Sequence, residues 1–88
     1  MSEVHIASCV AFVRPEAVSA VVRSIHATGL AEVPREDPGR GRLVILIEAA
    51  SAARVLDAMD AIRALDGVLA VHLAYQHAEP ESAMQEKP

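Results

Sequence analysis

Apolar or small residues fill three segments of the chain, residues 4–13, 42–48 and 68–76, on both sides of a two-residue alternation. Each reads as a strand. In the first, Val4, Ile6, Val10 and Phe12 fall on one side and His5, Ala7, Cys9, Ala11 and Val13 on the other. The run Leu43-Val44-Ile45-Leu46-Ile47 is the most strand-like in the chain, and the last segment alternates Leu69, Val71, Leu73 and Tyr75 against Ala70, His72 and Ala74. Two stretches instead show helical spacing. Arg14-Pro15-Glu16 opens the first, with Pro15 suited to the first turn and Glu16 favourable at the positive end of the dipole. Its stripe is Val18, Val21, Val22 and Ile25, and Gly29 offers a left-handed stop. Ser51 can cap the second, whose stripe is Val55, Met59, Ile62 and Leu65 with Leu56 on its flank, and Asp66-Gly67 ends it. Residues 30–36 form a weaker strand interrupted by Pro34, which belongs at a sheet edge, and residues 37–41 form a turn.

The resulting order, β-α-β-β-α-β, predicts an α+β, ferredoxin-like fold: a four-stranded antiparallel sheet with both helices on one face. Residues 1–77 make a single domain in this reading. From residue 78 the composition turns polar and proline-containing, and residues 78–88 are expected to be a disordered tail. In this topology the first and third strands are central, and the proline-bearing second strand lies at a rim.

Two helices cover one face of such a sheet and leave the other bare, yet the strands are apolar on both. An uncovered apolar face is where something else docks. Assigning the larger side chains to the helices puts Ile6, Val10, Phe12, Leu43, Ile45, Ile47, Leu69, Val71 and Leu73 on the covered side, with Phe12 and Tyr75 both withdrawn from the open one. The open face then carries Ala7, Cys9 and Ala11 from the first strand, Val44, Leu46 and Glu48 from the third, and Ala70, His72 and Ala74 from the fourth. Such a trough of small groups suits an amphipathic helix or an extended peptide. A second copy of the chain or the tail are the other occupants the pattern allows, and the unpaired edge of the fourth strand is a further route for holding a peptide.

The hydrophobic content, 52%, is high, whereas aromatics are 2%, so the core must be built from Val, Ile, Leu and Ala. No apolar run approaches the roughly 18 residues that span a bilayer, and the N-terminal residues lack the pattern of a secretory leader, which together predict a cytoplasmic protein with no membrane insertion. Of the net charge of −4, the tail carries two units, where Glu79, Glu81 and Glu86 outweigh Lys87. This mildly acidic balance disfavours nucleic acid and is compatible with a basic partner.

Candidate chemistry is sparse. Cys9 is the one cysteine, so there is neither an internal disulfide nor a cysteine cage. His5 and His72 near Cys9 would be the only metal set, and their spacing matches no local ligand motif. Paired carboxylates and a glycine-rich phosphate loop are both missing, so no enzyme activity and no cofactor are expected. A small-ligand-sensing regulatory domain acting as a homodimer is the alternative from a different class, but Arg14-Pro15-Glu16 fills the loop where such domains bind ligand.

His5-Ile6-Ala7-Ser8 leading to Arg14-Pro15-Glu16, then residues 43–49 and 66–77, in this order and spacing, resemble the NapD family, cytoplasmic maturation chaperones of the periplasmic nitrate reductase catalytic subunit. The resemblance covers residues 4–77. It implies a chaperone that binds the twin-arginine signal peptide of the nitrate reductase precursor, in helical form, against the sheet. The resemblance implies as well that export is delayed until the molybdenum cofactor is loaded. The chain is expected to act as a monomer or weak homodimer. A basic and apolar ligand needs grease and negative charge, and Glu48 is the candidate acidic contact.

Overall fold

The computed structural model describes residues 3–80. The elements are β1 (Glu3–Val13), a 3-10 turn (Pro15–Ala17), α1 (Val18–Thr28), β2 (Ala31–Asp37), β3 (Arg42–Ala49), α2 (Ala52–Arg63) and β4 (Val68–Pro80). The strands make one antiparallel sheet in the order β2-β3-β1-β4, so β1 and β3 are central as the pattern predicts. The fold is ferredoxin-like α+β.

Local signals explain the boundaries. Pro15 opens the 3-10 turn that feeds α1. Gly29 ends α1 at φ 69°, and the Ser51 hydroxyl accepts from the Arg54 N–H at 3.2 Å to cap α2. Two glycines are fixed by close approach. A Cβ on Gly41, at φ +65°, would lie 2.1 Å from the Val13 carbonyl oxygen, and one on Gly67, at φ +94°, would lie 2.6 Å from Ala17 Cβ. Those approaches are what allow Val13 N–H to reach Gly41 O at 2.7 Å and Arg14 N–H to reach Gly67 O at 2.9 Å, tying the end of β1 to both neighbouring loops.

The core joins both helical stripes to one face of the sheet. Val18, Val21, Val22 and Ile25 of α1 and Val55, Ala58, Met59 and Ile62 of α2 share a single cluster with Leu43, Ile45, Ile47 and Val71. The β1 contribution to that cluster is Ala7, Cys9, Ala11 and Val13, each at most 2% exposed. The expected phase of β1 is therefore inverted. Its small residues face the helices, and Ile6, Val10 and Phe12 lie half-buried on the open side. The reason is volume: a core has room for a fixed amount of side chain, and the Ile, Leu and Met residues of the helices and β3 fill the space over the central strand. Small groups on β1 make that room.

Two further differences lie in β4. A bulge between Ser8 and Cys9 leaves Ala74 unpaired between Leu73, opposite Cys9, and Tyr75, opposite Ser8. Leu69 and Leu73, expected under the helices, are 66% and 44% exposed. The strand also runs past residue 77: Ala78, Glu79 and Pro80 pair with His5, Val4 and Glu3. The remainder of the expected tail, residues 81–88, lies outside the described residues.

Candidate peptide-binding face

The pairing register turns the open face into a lattice of four rows across the strands. The first row holds Glu48, Ile6 and His77, and the second Glu32, Leu46, Ser8 and Tyr75. The third holds Arg35, Val44, Val10 and His72, and the fourth Asp37, Arg42, Phe12 and Ala70. Neighbouring strands are about 4.8 Å apart and alternate residues about 6.8 Å apart, so the lattice covers an area fit for a short helix or a strand of peptide.

Five of the nine residues expected on this face are there: Val44, Leu46, Glu48, Ala70 and His72. Ala7, Cys9 and Ala11 are not. They are 0% exposed and packed beneath the helices, so they contact no partner from the open side. Ala74, displaced into the bulge, gives up its place to Tyr75, which is 59% exposed. Ile6, Val10, Phe12, Tyr75 and Glu32 join the face instead. The surface is thus bulkier than a trough of alanines: a central apolar strip flanked by charge.

A weak signal for β1's phase is Ser8, set against His5 on the opposite side. It shares a side with Ile6, Val10 and Phe12, whereas Ala7, Cys9, Ala11 and Val13 include no hydroxyl or charge. A buried hydroxyl needs a partner, so the side carrying Ser8 is the one to leave accessible. β3 could be read without ambiguity because Arg42 and Glu48 fall in phase with Val44 and Leu46.

The aromatic residues expected under the helices are on the open side. Phe12 meets His72 edge-on, with ring centroids 5.7 Å apart, and the Arg42 guanidinium stands 5.7 Å from the Phe12 centroid. Tyr75 lies 5.2 Å from His77. Burial of aromatics therefore gives no argument against base stacking. The acidic charge balance does, and Glu32, Glu48 and Glu79 in this region reinforce it.

Two shallow depressions run along the β2–β3 side of the face. One, about 150 Å³, is lined by Leu30, Glu32, Leu46 and Glu48 among others. The other, about 500 Å³, is lined by Val10, Val44, Arg35 and Arg42 together with Glu36, Asp37 and Leu43. His77 Nε2 lies 2.6 Å from a Glu79 carboxylate oxygen, and His77 Nδ1 is a buried side-chain atom with no partner.

The register separates the possible metal ligands. His72 lies opposite Val10 on the open face, while His5 and Cys9 take the other phase of β1, and no group of three or more ligating side chains forms among the described residues. Burial pushes the Cys9 thiol up from its ordinary value, an effect that the Arg63 guanidinium partly offsets. A protonated, enclosed thiol is a poor nucleophile. No helix among the described residues is long and apolar enough to cross a membrane.

Comparison with known proteins agrees with this architecture. The family model described as NapD protein matches residues 4–80. Chaperone NapD of Escherichia coli K12 is 28% identical over 77 residues, covering 88% of each chain, and Chaperone NapD of Shigella flexneri matches to the same extent. The solution structure of the E. coli Tat proofreading chaperone NapD superposes with a TM-score of 0.77 at 26% identity, over 97% of this chain and 88% of that one. With the match running from β1 through the last residue of β4, this chain belongs to the NapD family, whose named relatives are chaperones and not enzymes.

Proposed function

We propose that this chain is a cytoplasmic proofreading chaperone that holds the twin-arginine signal peptide of the periplasmic nitrate reductase catalytic precursor on its open sheet face, delaying export until the cofactor is loaded. The observation that carries the reading is that face itself. Ile6, Val10, Phe12, Val44 and Leu46 form an apolar strip, interrupted on β1 by Ser8, on the side away from both helices, and two carboxylates, Glu32 and Glu48, border it. A twin-arginine leader joins a basic segment to an apolar one, and this surface offers a complement to each. Membership in a family whose relatives are named chaperones supports the same reading. No substrate has to be transformed, so recognition by contact is the whole mechanism.

Calorimetry with a synthetic peptide bearing two consecutive arginines ahead of an apolar stretch tests it. Val44→Lys and Ala70→Trp alter the open face without entering the helix-side core, and each is expected to weaken binding at least about tenfold while the chain stays folded. Wild-type affinity in both variants would remove the sheet face from the mechanism.

A further inference from the structure

The four rows are not alike in charge, and the difference runs along the strands. At the Ile6 end stand Glu32 and Glu48, neither of them in an ion pair with a described cation. At the Phe12 end stand Arg35 and Arg42; the Asp37 carboxylate beside them is engaged by Arg40 at 3.9 Å, and Glu36, which lines the same depression, sits opposite Leu43 in the other phase of β2. Arg54 lies in a depression next to Glu48, but Asp57 lines the same depression and offsets it. Between the two ends the strip is apolar except for Ser8. From Ile6 to Phe12 it extends about 20 Å, the length of a helix of roughly 13 residues.

We infer that the bound peptide has one polarity: its basic N-terminal segment lies over Glu32 and Glu48, and its apolar stretch runs past Leu46, Val44 and Val10 toward Phe12 and Arg42. The inference rests on the function proposed above and specifies how that site reads its partner. Two separate electrostatic effects agree on the direction. Side-chain charge favours arginines at the carboxylate end and disfavours them beside Arg35 and Arg42. Backbone charge does the same, because the N-terminus of a helical peptide is partly positive and its C-terminus partly negative, so the carboxylates meet the first and the guanidiniums the second. A reversed peptide meets like charge at both ends. The apolar contacts, by contrast, are indifferent to direction: Ile6, Val10, Phe12, Val44 and Leu46 offer similar surface either way. Grease therefore holds the peptide and charge orients it.

The test uses the full ¹⁵N-labelled chain and the synthetic peptide described above, with a nitroxide attached at its N-terminal end or, in a second preparation, at its C-terminal end. The N-terminal label is expected to broaden the amides of Glu32, Leu46 and Glu48 more strongly than those of Arg42 and Ala70, and the C-terminal label to do the reverse. In parallel, the Glu32→Lys/Glu48→Lys chain should bind roughly three- to tenfold more weakly with a shallower salt dependence, while Arg42→Glu, which gives up only the weaker contact with the partly negative C-terminal end of the peptide, should lose no more than about twofold. Binding with the opposite broadening pattern, with equal broadening at both ends, or with equal losses in the two charge variants overturns the polarity and leaves the docking face standing. Absence of any binding by the unaltered chain overturns both.

Discussion

Ala11 and Val10 are adjacent in the chain and opposite in consequence. Ala11 has no exposed surface, and its neighbours across the sheet are Leu43 and Val71, both core residues. A tryptophan there has nowhere to go, and Ala11→Trp is expected to cost about 3 kcal/mol or more, enough to prevent or severely weaken folding, as circular dichroism and thermal unfolding would report. Val10 is half-buried on the open side, so Val10→Lys is expected to cost far less stability and instead to weaken peptide binding. Finding the two losses exchanged would mean that the phase of β1 is the reverse of the one described. Cys9 provides a chemical check on the same strand. Because burial raises its thiol above the ordinary value of 9.0, the folded state keeps a proton that the unfolded state releases. The contribution is therefore intact below pH 9 and is lost as the pH climbs beyond it, so stability should fall on the alkaline side, and Cys9→Ala should remove that component of the fall. A thiol reagent should modify the native protein only as fast as it opens. Immediate reaction with native protein would contradict the enclosure.

Elements differ in how much of their placement could be read in advance. Both helices could be read from their stripes, because helical periodicity sets apolar against polar residues around the axis and Val18, Val21, Val22, Ile25, Val55, Met59 and Ile62 all reach the core. The strand order followed from the sequence of elements and from Pro34 in β2. β1 is different: with apolar or small residues on both sides, alternation fixes that it is a strand but not which side is covered, and side-chain size gives the wrong answer because packing volume is shared with the helices. The β4 bulge was also illegible, since one inserted residue shifts Ala74 and Tyr75 without leaving any mark in composition. The site shows the same division: the residues on β3 and at the start of β4 are legible in the sequence, those on β1 and at the end of β4 are not. The end of β4 has its own consequence. Residues 77–80 pair with residues 3–6 of β1, and His77 and Glu79 add a contact at 2.6 Å. A chain ended after Gln76 should be less stable than one ended after Pro80 by about 1–2 kcal/mol, a fall in melting temperature of several degrees. Coincident melting curves would show that the extension contributes nothing to the sheet.

At the scale of the whole molecule, thin stability and an uncovered face make binding visible in unfolding. A chain of 88 residues with a single small core has roughly 5–13 kcal/mol to lose, so a ligand that binds only the folded form shifts the balance appreciably. At a free peptide concentration of 100 times Kd the gain is about 2.7 kcal/mol, which for a domain of this size moves the melting temperature by roughly 10–20 °C. The same measurement separates the two occupants that compete for the face. If the strip of Ile6, Val10, Phe12, Val44 and Leu46 is open to a leader peptide, the melting temperature of the chain alone should not depend on protein concentration, and it should rise with added peptide. Replacing the two arginines of the peptide with glutamines should shrink that rise, because the carboxylates at Glu32 and Glu48 then have no cation to meet, while the apolar contacts keep part of it. If two copies of the chain instead close over each other's faces, the melting temperature should climb with protein concentration, and peptide should add little because it must first displace a copy. A concentration-dependent midpoint that peptide leaves unmoved would assign the face to self-association and take the proofreading site elsewhere on the molecule.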